Sequence, residues 1–237
     1  RSTEYASILY QLAQTYYYLG TTDSTETILK SRLEIFKMIN PKSVSMAGGL
    51  FDLGEYYGNV GNVKEAEKLF LQSYNLESDL TGPTLSLAGK LGSIGWFHMN
   101  LGNYTDAEKY YKQAMAMVES INGKECVQYG ARLNEMGTLY TRKGLYAKSE
   151  DLLTQHLRIQ ERKGGPGSSG YAIAKNSLGS LYDVMGLENK ALQYYLEAAK
   201  IIEAIYGRDS EGFAFYVSNA AGAYRDLKNY KKADSLY

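Results

Sequence analysis

The chain has 237 residues, with 26 Lys plus Arg against 26 Asp plus Glu, and so no net charge. Nucleic-acid binding draws on a basic excess to neutralise phosphate, so a nucleic-acid partner is not expected. A single cysteine, Cys126, excludes an internal disulfide and fits a reducing compartment. No stretch reaches the roughly 20 apolar residues that cross a bilayer, so a cytoplasmic location without a membrane partner is expected. The chain starts at Arg1 without an initiator Met and stops at Tyr237 inside a repeat, which reads as a piece of a longer protein.

A glycine recurs at Gly20, Gly61, Gly102, Gly144 and Gly186, in steps of 41, 41, 42 and 42, and Lys228 fills a sixth slot 42 further on. Self-similarity at this period specifies stacked helical units, each touching only its neighbours. The expected units run approximately over 5–45, 46–86, 87–128, 129–170, 171–212 and 213–237, as one solenoid fragment spanning 1–237. Within each unit a first amphipathic helix should end at the anchor glycine and a second should follow it.

The first unit carries Ala13, Tyr16 and Thr25 around its anchor, and the second Gly54, Tyr57, Ala66 and Phe70. In the third, Gly95 and His98 precede the anchor. There Thr105-Asp106-Ala107-Glu108 reads as a capping box that opens the second helix. Tyr110, Tyr111, Ala114, Met115 and Val118 continue it at helical spacing. In the fourth, Ala131, Asn134, Gly137, Thr138 and Arg142 share one face, and Leu133, Met136, Leu139 and Tyr140 another. The fifth repeats the scheme with Gly179, Tyr182, Ala191 and Tyr195, and the sixth with Ala221, Tyr224, Ala233 and Tyr237. The anchor glycines suit the left-handed residue that ends a helix, and Asn59, Asn62, Asn100 and Asn103 fit the same backbone demand. Connectors lie near 40–45, 80–86, 121–129, 163–170 and 206–212, and all three prolines (Pro41, Pro83, Pro166) fall in them.

No residue pattern points to catalysis, a cofactor or a metal. The string Gly165 to Gly170 spells G-x-G-x-x-G, but a helix precedes it and no strand is evident, so a connector is expected. His98 sits in the aromatic slot and His156 in the small slot of a second helix, as packed rings. Cys126 lies in a connector at least 28 residues from either histidine. Asn103-Tyr104-Thr105 is a formal glycosylation sequon that the helix start already explains.

Small residue, aromatic, glycine and alanine in this order resemble the tetratricopeptide repeat. Leu53-Gly54-Glu55-Tyr56-Tyr57 and Leu178-Gly179-Ser180-Leu181-Tyr182 match its first helix; Ala66 with Phe70, Ala107 with Tyr111, and Ala191 with Tyr195 match its second. The resemblance implies an all-α, right-handed α-solenoid of antiparallel helix pairs. The closing proline is replaced by Lys37, Ser78, Glu119, Glu161 and Glu203, so the second helix should run on by about two turns. The longer period is similar to the kinesin-light-chain subtype, as is Tyr206-Gly207-Arg208-Asp209-Ser210, without that subtype's His-Pro. Arrays of this kind also precede CHAT protease domains in bacteria, which gives a second reading as the sensor segment of a larger enzyme.

The resemblance further implies that first helices line a concave groove for a protein or peptide partner. The side chains expected there are Tyr17, Phe51, Glu55, Trp96, Met99, Asn100, Asn134, Thr138, Arg142, Asn176, Ser180, Asp183 and Arg225. The first half of this set is aromatic and apolar, suited to anchors; the Asn amides of the second half suit peptide backbone. A peptide lying along the groove with its apolar side chains near Trp96 is the expectation. The cut last unit, with Tyr224 and Tyr237, offers self-association as a further partner class.

Overall fold

The computed structural model describes residues 2–236; the ring slot of the sixth unit, Tyr237, lies outside the described residues. The fold class is all-α, 83% helical, with no strand among the described residues. The described residues form twelve helices in tandem: α1 (Thr3–Tyr18), α2 (Thr22–Ile39), α3 (Val44–Asn59), α4 (Val63–Thr81), α5 (Leu85–Asn100), α6 (Tyr104–Asn122), α7 (Val127–Arg142), α8 (Tyr146–Lys163), α9 (Ser169–Val184), α10 (Glu188–Tyr206), α11 (Glu211–Asp226) and α12 (Tyr230–Asp234). Contacts divide the chain into two compact units, Arg1–Phe97 and His98–Tyr237.

The anchor slot ends every first helix in the same way. Gly61 has φ +83° and Lys228, where glycine is missing, still holds φ +59°. The next residue then donates its N–H to the carbonyl of the aromatic slot, as from Asn62 to Tyr57 at 2.8 Å and from Asn229 to Tyr224 at 2.8 Å. That long-reach bond closes a helix through a left-handed residue. The second helix starts one residue later, so α6 begins at Tyr104 with Asn103 at its N-cap. The capping box expected at Thr105 is therefore corrected: Thr105 already lies in the first turn. The asparagines are corrected too. Asn62 and Asn103 have φ −84° and −79° and occupy N-cap positions rather than left-handed ones, Asn62 accepting from the Glu65 N–H with its side chain.

The second helices pass the missing proline by two or three residues, not two turns, ending at Ile39, Thr81, Asn122, Lys163 and Tyr206. Gly82, Gly123 and Gly207, with φ between +66° and +80°, stop three of them. First helices share a capping slot of their own. Ser2, Ser43, Thr84, Cys126, Ser168 and Ser210 each accept from the backbone N–H three residues on. A side-chain acceptor here satisfies one of the N–H groups that a helix start leaves bare. Cys126 does this job with sulfur, its Sγ accepting from the Tyr129 N–H at 3.3 Å. The glycine string ends in the same device, with Ser168 capping α9.

Each unit is built on close approach at the small slot. A Cβ on Gly54 would stand 2.9 Å from Phe70, on Gly137 2.7 Å from Leu153, and on Gly179 2.7 Å from Tyr195. Phe70 in turn sits between Phe51 and Phe97, with ring centroids 5.0 and 5.3 Å away. In the second unit Leu153, Leu178, Leu181, Tyr182 and Tyr195 form one buried cluster. The aromatic slot has a polar task as well. The hydroxyl of Tyr57 donates to Glu26 at 2.8 Å, that of Tyr140 to Glu108 at 3.3 Å, and that of Tyr182 to Glu150 at 2.6 Å. Each bond joins a first helix to the second helix of the repeat before it, so the ring buries area while its tip fixes the stacking.

Candidate partner-binding face

In the unit Arg1–Phe97, the first helices α1 and α3 border a cavity of about 190 Å³. Tyr10, Gln14, Tyr17 and Tyr18 line it from α1, and Asp52, Glu55, Tyr56 and Asn59 from α3. The helical phase explains this. Relative to the seam with α2 and α4, residues four, one and five past the small slot stand about 40°, 100° and 140° round the helix. Asp52 pairs with Arg32, whose guanidinium also donates to the Ala6 carbonyl at 3.1 Å. That guanidinium lies over the Tyr10 ring at 4.8 Å and the Phe36 ring at 4.9 Å. Burial raises the Asp52 carboxyl above the usual range, opposed by Arg32. Burial, then the charge of Asp52, raises Glu55 as well, opposed by Lys90.

Deeper in the same unit, Lys90 reaches Glu77 at 2.8 Å and Ser73 Oγ at 2.7 Å. Ser73 passes the chain on to the Ala47 carbonyl at 2.6 Å. These ion pairs join separate helices, which the repeat pattern alone does not display. Their signal was present: Arg32, Ser73 and His156 are polar in a second-helix slot that Ala114 and Ala198 fill elsewhere.

The expected face residues of this unit separate sharply. Trp96 is 53% exposed and Tyr17 39%, and Glu55 is half-buried at the cavity. Phe51 is buried against Phe70, beneath the Lys90 ammonium. It is a core ring and not an open anchor.

In the unit His98–Tyr237, Met99 is likewise corrected to the core, 3% exposed and touching the buried Tyr111 hydroxyl. Asn100, Arg142, Ser180 and Arg225 are exposed, and Asn134, Thr138, Asn176 and Asp183 half-buried. The Asn134 Oδ1 is buried without a partner. Its neighbour Thr138 donates to the Asn134 backbone carbonyl at 2.9 Å. Asn176 Oδ1 accepts from Asn219 Nδ2 at 2.8 Å, a bridge between α9 and α11. Asn219 was not among the expected residues because it stands one position off the aligned slot. Burial, then the charge of Asp226, raises the Asp183 carboxyl. Beside this row, burial pushes Glu135 up to about 7, opposed by Arg132 at 3.0 Å.

Both histidines are packed rings. His98 stacks on Tyr110 with centroids 5.3 Å apart, and burial lowers His156 to about 4. Among the described residues no group of three or more His, Cys, Asp or Glu could hold a metal ion, and no helix is long and apolar enough to cross a membrane.

Two overlapping stretches, residues 86–162 and 130–201, match the family model of the tetratricopeptide repeat. Residues 86–201 belong to the tetratricopeptide repeat family, and the chain as a whole is an array with that fold. Solved structures with the same fold include BtubC (BKLC) from P. vanneervenii, 16% identical, covering 91% of this chain and 87% of that one, with TM-score 0.74. A second is a candidate kinesin light chain from Podosopora anserina with nearly identical TPR-like repeats. It is 18% identical, covers 84% of the array and 96% of its own chain, and has TM-score 0.65. A third is the Rap protein complexed with Competence and Sporulation Factor, 18% identical, covering 99% of the array and 66% of that chain, with TM-score 0.61. At these identities the likeness establishes the fold. No curated protein matches the array in sequence.

Proposed function

We propose that the array is a protein-interaction scaffold that takes an extended peptide or unstructured protein segment on its first-helix face. The observation that carries this reading is Trp96. It stands in the C-terminal half of α5 with 53% of its surface exposed, while Ile94 and Phe97 beside it are buried. Large exposed aromatic side chains are typical anchors of binding hot spots, and the repeat packing has no use for this one. In the other unit, the unsatisfied Asn134 Oδ1 supports the same reading. A buried acceptor without a donor costs about 1–3 kcal/mol, and because this atom is closed to solvent the Asn134 side chain must turn outward to meet a peptide N–H. The Rap protein, with a similar fold, was solved with Competence and Sporulation Factor bound, which agrees with a binding role for such arrays.

The test is selection of peptides from a random display library on the intact array, followed by affinity measurement on variants. Trp96→Ala with Asn134→Ala is expected to weaken the selected peptides at least tenfold, with helical circular dichroism unchanged. Leu71→Ala, an exposed position on a second helix, is expected to leave them unaffected. Undiminished binding by the double variant removes the first-helix assignment.

A further inference from the structure

We propose that the cavity between α1 and α3 is a subsite for one basic side chain, Arg or Lys, of the partner segment. This rests on the reading of the first-helix face as the partner-binding surface, and adds the chemistry of what it reads in the unit Arg1–Phe97.

The argument starts from charge. Of the two carboxylates that line the cavity, Asp52 is paired with Arg32, while Lys90, whose charge also acts on Glu55, is held in an ion pair by Glu77. Glu55 is left over. It lines the cavity, and it forms no hydrogen bond or ion pair among the described residues. A half-buried carboxylate without a partner is a standing cost that a cation removes and an anion increases. An apolar side chain would strip its remaining water and add to the cost.

The walls around Glu55 are aromatic. Tyr17 meets Tyr18 with centroids 6.2 Å apart at 67°, and meets Tyr56 at 6.5 Å and 80°. Rings set edge to face turn their faces in different directions, and Tyr18 is 86% exposed. A tyrosine face beside a carboxylate is the environment that attracts a guanidinium or ammonium. One instance stands behind the cavity wall: Arg32 is held by the lining residue Asp52 and lies over the lining ring of Tyr10. A volume of about 190 Å³ admits one side chain rather than a helix.

The experiment titrates the whole chain with acetyl-Ala-Arg-Ala-amide, its Lys counterpart and its citrulline counterpart, following Tyr ring signals by NMR. Citrulline keeps the shape of Arg and removes the charge. The proposal expects Arg or Lys to bind at least fivefold more tightly than citrulline, with affinity falling as salt rises. Glu55→Gln and Tyr18→Ala should each weaken the Arg peptide at least threefold. Glu65→Gln, away from the cavity on α4, should not. Tyr18 is so exposed that its truncation leaves the fold intact, so a folding defect in Glu55→Gln would not cloud the result. Equal binding of Arg and citrulline overturns the subsite. So does an unchanged Arg affinity in Tyr18→Ala. If library peptides still lose binding on Trp96→Ala while citrulline equals Arg, the subsite fails and the scaffold reading stands.

Discussion

Gly137→Val is expected to destabilise the unit His98–Tyr237 by about 3 kcal/mol, the upper end of the usual cost of overpacking. The reason is local and geometric. A Cβ at this position would lie 2.7 Å from Leu153 Cδ2, 2.8 Å from its Cγ and 3.5 Å from the Ser149 carbonyl. Leu153 cannot retreat, since it is 1% exposed and packed in the cluster with Leu178, Leu181 and Tyr195. Ser149 is held as well, its Oγ donating to the Gly137 carbonyl at 2.8 Å. Helices α7 and α8 must therefore move apart, and the stacked neighbours with them. Urea unfolding followed by circular dichroism checks this. Gly222→Ala is the control, because its Cβ would meet nothing within 4 Å. In a helix interior that change should stabilise by about 0.5–1 kcal/mol. Wild-type stability in Gly137→Val would refute the close packing at the small slot.

The second large effect is electrostatic. Glu135 is raised from 4.5 to about 7 by burial, and its Oε2 has no partner. Between pH 4.5 and 7 the folded chain keeps a proton that the unfolded chain gives up. Stability from this group is thus present at low pH and lost as pH rises through the window. Glu135→Gln keeps the shape and removes the ionisation, so it should stabilise by roughly 3 kcal/mol at pH 8 and by little below pH 4.5. Glu108 has the opposite sign. Hydrogen bonds from Lys112 and Lys143 hold it down at about 2, so its contribution is present above pH 4.5 and fades as pH falls toward 2. The difference between wild type and Glu135→Gln isolates the first group. A difference that does not change with pH would contradict the buried-carboxylate account.

The helix pairs were legible in the sequence because the demands behind them are local. A left-handed residue asks for glycine, and a close helix approach asks for a small side chain. Gly61, Gly54 and Phe70 announce themselves wherever the repeat is aligned. Exposure was less legible, since it depends on how far each neighbour covers a face. Met99, four residues past Gly95, returns to within about 40° of the buried seam and is covered. Trp96, one residue past Gly95, lies about 100° away and is open. Phe51 sits at the border of the face, where Phe70 and Lys90 close over it. The ion pairs of Arg32 and Lys90 join residues 13–20 apart on different helices, which no single-helix pattern displays. The same holds for the bond between Asn176 and Asn219. The capping row from Ser2 to Ser210 was readable by alignment, but Cys126 in the fourth place disguises it.

Trp96 is the only tryptophan in the chain, so it reports on the first-helix face without any label. The measurement is its fluorescence and its quenching by acrylamide, before and after a library-selected peptide is bound. A partner seated on this face will shift the emission to the blue and shield the ring from the quencher. Tight binding that leaves both emission and quenching unchanged would place the partner elsewhere and contradict the account.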